Sequence, residues 1–280
     1  MSLKYSPIRP IASDGGPRSQ AIQAEVNSAL WRRPDLVERY RRRELKEVEK
    51  AILARCGDAL SGCVLELGCG AARVTRHLAR AGGDVVGVDI SPAMVEFCRG
   101  AVPGGRFEVL DIAELASLPT SSFNVVVAFD NVIDVLDPAS RRHCLADIGA
   151  LLAPGGVCAL STHNAGYADR HHGPVRNLFD DLLAPRPRAA ASGLRHLRPR
   201  VANRRRLRRF HTGGPGYEIL TDPGGDFGLL HYYTSRDSQA QQFEDHGFEL
   251  VECLDLETSP VGPGESASES SELHYLARRR

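Results

Sequence analysis

Five short apolar runs alternate with helical segments between residues 63 and 162, and this alternation constrains the fold more than any other feature of the chain. The runs are CVLEL (63–67), DVVGVD (84–89), RFEVLD (106–111), FNVVVAF (123–129) and GVCALST (156–162). Apolar periodicity predicts helices between them at about 73–82, 92–101 and 138–152. Strands that are apolar on both faces and alternate with helices indicate a parallel sheet covered on both sides.

The segments on either side of this core carry weaker signals. The first 20 residues lack periodicity and predict an irregular arm, and two helices follow at 21–31 and 34–56. Near the other end, GYEILT and DFGLLHYYT flank DPGG and predict a hairpin. The remaining predictions are a helix at 235–246, strands at 248–256 and 272–279, and a mobile Ser- and Gly-rich loop at 258–271.

Composition excludes several classes of protein. The 35 basic residues balance 35 acidic ones, which argues against a uniformly basic nucleic-acid binder. No apolar run reaches the roughly 18–20 residues that span a bilayer, and no signal-peptide pattern begins the chain. The seven cysteines form no CxxC pair, so zinc and thioredoxin-like sites lack support. We expect a cytoplasmic protein without a metal site or membrane contact.

The strongest local signal is VLELGCGAARVT, in which an apolar strand enters Gly68-Cys69-Gly70 and then a helix. Glycines at such a turn let the backbone approach a ligand closely. The next predicted strand ends at Asp89, 19 residues after Gly70, where a carboxylate can accept both hydroxyls of a ribose. Dinucleotides and S-adenosylmethionine (SAM) both fit this pattern.

Two residues favour SAM over a dinucleotide. Arg73 stands where a dinucleotide fingerprint would have its third glycine. Glu66, just before the turn, would repel a pyrophosphate but attract the ammonium and sulfonium of SAM.

The whole pattern resembles the class I SAM-dependent methyltransferases. Its matching segments are VLELGCGAARVT, VVGVDISPAMVEFC, FEVLDIAEL, FNVVVAFDNVIDVL and LLAPGGVCALST. The resemblance implies a Rossmann-like α/β fold with a seven-stranded sheet whose last strand, HYLARR, is antiparallel. The family pattern divides the chain into an N-terminal arm and helical lid (1–59), a SAM-binding core (60–164), a basic inserted cap (165–230) and the end of the core (231–280).

The resemblance also implies roles for residues that follow the strands. The backbone of Gly68, Cys69 and Gly70 would cradle the methionine part of SAM, and Asp89 would hold the ribose. The other cofactor positions would be Glu66 at the amino group, Ile90 and Met94 over the adenine, Asp111 and Ile112 at its amino edge, and Phe129 and Asn131 at the methionine end. Core packing by the aliphatic side chains and Met94, and capping of the following helix by Asp111, stay open as alternatives.

Candidates for the acceptor side follow the fifth strand. His163 and Asn164 end that strand at the sheet edge that faces the cofactor, where they could orient or deprotonate the nucleophile and bind the substrate. Asp134, Tyr232 and Tyr233 are further candidates for substrate contact, with His231 and Tyr40 beside them. The alternatives are a histidine that closes a strand end and an aromatic core strand.

Residues 186–209 hold ten Arg and no acidic residue. They could form a solvated cap, recognise a phosphate, carboxylate or carrier protein, or grip RNA. We expect methyl transfer from SAM to an oxygen or nitrogen of a small molecule, releasing S-adenosylhomocysteine, with nucleic acid a disfavoured partner. The alternatives are an RNA or protein methyltransferase that docks through this segment, a non-methylating use of SAM, a dinucleotide oxidoreductase and a cofactor-binding regulator.

Overall fold

The computed structural model describes residues 17–183 and 187–280, and within these ranges it describes side chains outside 17–20, 180–181 and 187–193. The helices are α1 (Pro17–Trp31), α2 (Leu36–Tyr40), α3 (Glu47–Cys56), α4 (Thr75–Arg80), α5 (Pro92–Ala101), α6 (Pro138–Leu151), α7 (Pro174–Leu183), α8 (Pro187–Leu207) and α9 (Arg236–Asp245). The strands are β1 (Cys63–Leu67), β2 (Asp84–Asp89), β3 (Arg106–Val109), β4 (Phe123–Ala128), β5 (Leu152–Asn164), β6 (Thr212–Gly214), β7 (Tyr217–Leu220), β8 (His231–Thr234), β9 (Phe248–Leu254) and β10 (Glu272–Arg279).

Seven strands form the predicted sheet, in the order β3-β2-β1-β4-β5-β10-β9. The first five are parallel, and β10 runs antiparallel to both of its neighbours. The Rossmann-like α/β fold with an antiparallel last strand is therefore confirmed. The four-part division of the chain stays a prediction.

Successive apolar side chains along a strand point to opposite faces of the sheet, so the sheet has a hydrophobic core on each face. On β1, Leu65 packs on one side with Ile148 of α6, while Val64 packs on the other with Ile52 of α3. All four side chains are fully buried. Because successive side chains of a strand point to opposite faces, apolar residues at consecutive positions require helices on both sides.

The inserted segment adds three strands to this sheet. β8 runs parallel to the last two residues of β5, with His163 opposite Tyr233 and Asn164 opposite Thr234. β7 pairs antiparallel with β8, which confirms the predicted hairpin, and β6 pairs with β7. The insertion thus continues the sheet at the carboxyl end of β5, beyond the end of β4.

Three local predictions were wrong. The helix predicted over 34–56 is broken between α2 and α3, and residues 17–20 of the predicted arm belong to α1, whereas the rest of the arm lies outside the described residues. The loop 258–271 is irregular but anchored to its surroundings. An isolated bridge joins Leu254 to Pro260, and Ser270 Oγ donates to the Glu272 carbonyl.

Candidate functional site

A cavity of about 570 Å³ lies at the carboxyl ends of the parallel strands. All eleven residues predicted to bind the cofactor line it: Glu66, Gly68, Cys69, Gly70, Asp89, Ile90, Met94, Asp111, Ile112, Phe129 and Asn131. His163, His231 and Tyr233 line the same cavity. The candidate cofactor and acceptor groups therefore share one cavity, at the edge where open α/β sheets bind their ligands.

The turn after β1 has a backbone that requires glycine. Gly68 and Gly70 have φ angles of +65° and +51°, a region that side chains with a Cβ disfavour. A Cβ on Gly68 would also lie 2.3 Å from Cγ2 of Val132. The turn is fixed from outside, since Cys69 N–H donates to the Val88 carbonyl and Gly70 N–H to Asp89 Oδ2, both at 2.9 Å. The backbone of Gly68–Gly70 thus forms one wall of the cavity, here called the glycine wall, which a ligand can contact closely.

Two carboxyl groups face this wall. Asp89 accepts the N–H groups of Gly70 and Ser91, at 2.9 and 2.8 Å. Burial raises the pKa of Asp89, although these two hydrogen bonds oppose the shift. Burial likewise raises the pKa of Glu66 well above its usual value, against a 2.6 Å hydrogen bond from Thr75 Oγ1. A cationic ligand would favour the ionised form of both groups.

The methionine end of the predicted site contains a buried acceptor without a donor. Asn131 donates from Nδ2 to Glu272 Oε2 at 2.9 Å, while its buried Oδ1 has no hydrogen-bond partner. Glu272 in turn binds Lys46 and accepts from His274 Nε2 at 3.0 Å. The orphaned oxygen, the glycine wall and the carboxylates fit a ligand with cationic donors, as SAM has, and fit a pyrophosphate poorly.

The N-terminal helices contribute residues to the cavity wall. Trp31 and Tyr40 line it in an edge-to-face contact, with ring centroids 5.8 Å apart. Asn27 fastens α1 to the core, because its side chain donates to the carbonyls of Val135 and Leu230 at 2.8 Å each. The sequence carried no signal for Asn27.

The candidate adenine positions have mixed surroundings. Met94 is buried in a cluster with Leu36 of α2, and Ile112 is buried in the main core. Oδ1 of Asp111 accepts the N–H of Ala113 at 3.0 Å. A hydrogen bond of this kind is what the alternative role of Asp111, as a helix cap, would require. All three still reach the cavity wall.

The acceptor side centres on His163, which a buried carboxylate holds at two points. Asp134 Oδ2 accepts the backbone N–H of His163 at 2.6 Å and lies 2.9 Å from its ring Nδ1. Asp134 itself is fully buried, 3.5 Å from Nη2 of Arg141. This arrangement leaves Nε2 of His163 as the ring nitrogen available to a ligand.

A second carboxylate, Asp222, was missed by sequence reasoning. Its Oδ2 lies 3.4 Å from Nε2 of His163 and 2.6 Å from Nδ1 of His231, and it accepts the Tyr233 hydroxyl at 2.9 Å. The rings of His163 and His231 stack with centroids 4.6 Å apart. Asp222 lay in the DPGG turn, whose composition signalled only a change of direction.

These charges set the protonation of the cluster. Burial opposes the charged form of His163, but the hydrogen bond to Asp134 and the charge of Asp222 outweigh it and raise its pKa. Burial would also raise the pKa of Asp222, yet the neighbouring histidines lower it. Burial and Asp222 together raise the pKa of Tyr233 well above its usual value.

Three residues predicted for the acceptor side, Asn164, Tyr232 and Asp134, do not line the cavity. Asn164 Nδ2 donates to three carbonyls of the 258–271 loop, those of Ser266, Ala267 and Ser270, so its role is to anchor that loop. Tyr232 stacks on Tyr217 and lies under the guanidinium of Arg141, on the other face of β8 from His231 and Tyr233. The predictions of substrate contact by Asn164 and Tyr232 are corrected accordingly, and Asp134 contacts His163 rather than the cavity.

His163, Asp222 and His231 also form a set that could hold a metal ion, with one ligand atom each within 4.8 Å of the others. The sequence had predicted no metal site. In the structure these atoms face one another in the hydrogen-bonded cluster just described.

Part of the Arg-rich segment is structural. On α8, His196 and Arg200 bind the carboxylate of Asp226 at 2.8 and 3.1 Å, and Asn203 donates to its carbonyl. Asp226 lies in the turn after β7 that brings Gly224 and Gly225 to the cavity wall. The inner face of α8 therefore supports the acceptor side of the cavity.

Comparisons with known proteins agree with this geometry. Residues 64–156 match a family model described as a methyltransferase domain. A stretch of 130 residues is 37% identical to magnesium-protoporphyrin O-methyltransferase of Rhodobacter capsulatus, covering 44% of this chain and 52% of that protein. Another of 118 residues is 34% identical to carboxy-S-adenosyl-L-methionine synthase of Yersinia pestis, covering 40% and 44%. The chain thus matches about half the length of these curated relatives.

The fold also resembles solved structures over nearly its whole length. One is 1,6-didemethyltoxoflavin-N1-methyltransferase of Burkholderia thailandensis, solved with its substrate and S-adenosylhomocysteine. The TM-score is 0.56 at 14% identity, with 98% of this chain and 94% of that chain covered. At this identity the likeness concerns the fold. Among the described helices, none is both long and apolar enough to cross a membrane.

Proposed function

We propose that the chain, whose residues 64–156 match a methyltransferase domain, transfers a methyl group from SAM to an oxygen or nitrogen nucleophile of a small-molecule acceptor. S-adenosylhomocysteine is the second product. The observation that carries this proposal is the single cavity, which the glycine wall and Asp89 line together with His163. One cavity shared by cofactor and acceptor suits an in-line transfer, which depends on the alignment of the two reacting groups.

When bound, SAM supplies an activated methyl carbon on a positively charged sulfur. Gly68 and Gly70 would hold its methionine part by backbone contact, and Asp89 would accept the ribose hydroxyls with the lone pairs that Gly70 and Ser91 leave free. Oδ1 of Asn131 would accept a proton of the ammonium group, which gives that buried atom the partner it lacks.

On the acceptor side, His163 acts as the general base. His163 would accept the proton of the attacking nucleophile at Nε2. Asp134 keeps the opposite nitrogen, Nδ1, in a hydrogen bond and stabilises the resulting imidazolium. Oδ2 of Asp222 lies 3.4 Å from Nε2 of His163 and adds to that stabilisation.

The acceptor is expected to be a small molecule, as for similar proteins. The similar proteins named above act on magnesium-protoporphyrin and on 1,6-didemethyltoxoflavin, as their names state. Tyr233 and His231 would contact the acceptor, because they line the cavity beside His163.

A second candidate is a non-methylating use of SAM. It rests on the 34% identity to carboxy-S-adenosyl-L-methionine synthase, whose name states a different product. Product analysis separates the two, since only methyl transfer yields a methylated acceptor together with S-adenosylhomocysteine.

The test incubates the protein with methyl-labelled SAM and a cell extract split into small-molecule, protein and RNA fractions. We expect label in the small-molecule fraction, lost in Asp89→Ala through weaker cofactor binding. His163→Ala should lower turnover by roughly 10²–10⁴-fold while leaving the Kd for SAM unchanged, as removal of a general base does. Glu108→Gln, an exposed change outside the cavity, is the control.

Three results would overturn the proposal. Label in RNA or protein would identify a macromolecular acceptor. A modified SAM without a methylated acceptor would favour the second candidate. Unchanged turnover in His163→Ala would show that His163 is not the general base.

A further inference from the structure

Helices α7 and α8 carry an unusual share of the exposed apolar surface. Of the eight large hydrophobic side chains that are exposed in the described part of the chain, six lie on these two adjacent helices, and they are 44–83% exposed. They are Val175, Phe179, Leu182, Leu183, Leu194 and Val201. Clusters of exposed apolar residues in a folded protein commonly mark an interaction surface.

On α7 the exposed residues form one face. Val175, Phe179 and Leu182 stand at i, i+4 and i+7, the spacing of a helix stripe that normally packs into a core, and Leu183 extends it. In this structure the stripe faces solvent. The sequence pattern of α7 therefore predicts a partner.

Helix α8 has polar side chains on the face that packs against the protein and apolar side chains on the face exposed to solvent, the reverse of the usual arrangement. Its inner face carries the groups that bind Asp226, namely His196, Arg200 and Asn203. Its outer face combines the exposed Leu194 and Val201 with basic side chains. These are Arg195, Arg198, Arg205 and Arg206, all exposed and without a salt bridge to a described acidic side chain.

We propose that the outer face of α7 and α8, consisting of these six apolar residues and four arginines, docks on the surface of an anionic lipid bilayer. Apolar side chains that enter the interface and Arg side chains that meet anionic headgroups are the two components of interfacial helix binding. The α8 part of the face is complementary in charge to such a surface, because residues 186–209 contain ten Arg and no acidic residue, whereas the sequence of α7 includes Asp180 and Asp181.

The apolar residues decide between lipid and the alternatives. RNA would use the arginines, but five of the six exposed apolar side chains are valine or leucine, which offer no stacking surface for bases. A second copy of the chain would cover the apolar stripe but would bring its own arginines against these, at a cost in repulsion. An anionic bilayer uses both features at once.

This docking would place the cavity beside the bilayer. Asn177 of α7 lines the cavity, so the same helix has one side at the cavity wall and another at the lipid. The proposal differs from the sequence expectation of no membrane contact in one respect, contact with the bilayer surface. The inference does not depend on the proposed reaction, since binding to vesicles is measured without turnover.

The test is flotation of the full chain with phosphatidylcholine vesicles, alone or mixed with phosphatidylglycerol. We expect binding to the mixed vesicles, weak binding to pure phosphatidylcholine, and a fall in affinity as salt rises. The triple change Phe179→Ser, Leu182→Ser and Leu183→Ser should weaken binding by more than about tenfold. Arg205→Gln with Arg206→Gln should weaken it by about fivefold for each arginine.

The matched controls lie elsewhere on the surface. Val109→Ser and Val251→Ser remove exposed apolar side chains on β3 and β9, and Arg80→Gln with Arg142→Gln removes exposed charge. All variants change exposed residues, so unfolding is not expected and is checked by circular dichroism.

Several outcomes would overturn the inference. These are no binding to anionic vesicles, equal binding to neutral ones, or equal loss in the control variants. Retention of RNA in a gel-shift assay without vesicle binding would assign the arginines to RNA. A concentration-dependent dimer that the triple change dissociates, without vesicle binding, would assign the face to a second copy.

Discussion

Oδ2 of Asp134 accepts the backbone N–H of His163 at 2.6 Å and lies 2.9 Å from Nδ1 of the same residue. One buried carboxylate oxygen therefore fixes both the backbone and the ring of the histidine. The two residues are 29 positions apart, on the turn after β4 and at the end of β5. Because Nδ1 contacts Asp134, Nε2 is the ring nitrogen that faces the cavity. The protonation of His163 therefore depends on the buried side chain of Asp134.

The first prediction concerns the pH dependence of turnover. A general base must be unprotonated, so a raised pKa of His163 places the rising limb of the profile above pH 6.5, the usual pKa of histidine. Asp134→Asn removes a charge that raises this pKa, so the limb should move to lower pH while maximal turnover falls. The measurement is kcat against pH for both proteins.

Asp58→Asn, an exposed change outside the cavity, should leave the profile unaltered. If Asp134→Asn lowered turnover without moving the limb, Asp134 would have only a structural role.

The second prediction concerns the glycine wall. Gly68→Ala should raise the Kd for SAM by at least about tenfold, because the new Cβ meets Val132 and the backbone has a positive φ. Gly82→Ala is the matched control, since Gly82 also has a positive φ but open space around it. Both variants should lose stability, and only Gly68→Ala should lose affinity by calorimetry. Equal affinity in the two variants would contradict the cofactor assignment.

The third prediction concerns the stability of the protein in acid. Burial alone would raise the pKa of Glu272, but the hydrogen bond with His274 and the charge of Lys46 lower it. A lowered folded-state pKa means that this carboxylate stabilises the fold above about pH 4 and loses that contribution as the pH falls further. Glu272→Gln should lower the free energy of unfolding by about 1–3 kcal/mol at pH 7.

The variant should also show a shallower loss of stability in acid than the unchanged protein, as measured by urea unfolding at several pH values. Glu108→Gln removes an exposed carboxylate and should alter neither quantity. A slope identical to that of the unchanged protein would mean that Glu272 does not stay ionised in the fold.

The fourth prediction concerns metal ions. His163, Asp222 and His231 form a set that Zn²⁺ could bind, and binding would occupy the nitrogen that the proposed base uses. Zn²⁺ should therefore inhibit turnover, and EDTA should reverse the inhibition. His231→Gln should reduce the sensitivity to Zn²⁺, whereas His143→Gln, an exposed histidine, should not. Activation by Zn²⁺ would instead make the ion part of the reaction and would replace His163 as the base.

The cofactor side could be predicted from the sequence because its residues belong to local patterns. Most lie at or just after the end of a strand, as Gly68 follows β1 and Asp89 ends β2, while Glu66 lies within β1 and Met94 in the first turn of α5. The carboxyl ends of parallel strands lie at the same edge of a sheet. Residues that follow different strands therefore come together around one cavity. All eleven predicted residues lie on its wall for this reason.

The acceptor side depended on pairings that local patterns do not contain. Sequence reasoning left open which side of β8 faces the cavity, and its register with β5 and β7 turned His231 and Tyr233 inward and Tyr232 away. Asp222 and Glu272 line the cavity although they lie in segments distant in sequence from His163. Asn164 instead binds a loop about 100 residues later in the chain and does not line the cavity.

The sequence by itself determined the sheet, its cofactor edge and the position of His163, because apolar alternation and a glycine turn act over a few residues. Only the tertiary structure decided which charges surround that histidine and which face of the Arg-rich helix is exposed. Both depend on contacts between segments far apart in the chain, where burial and pairing override local preference.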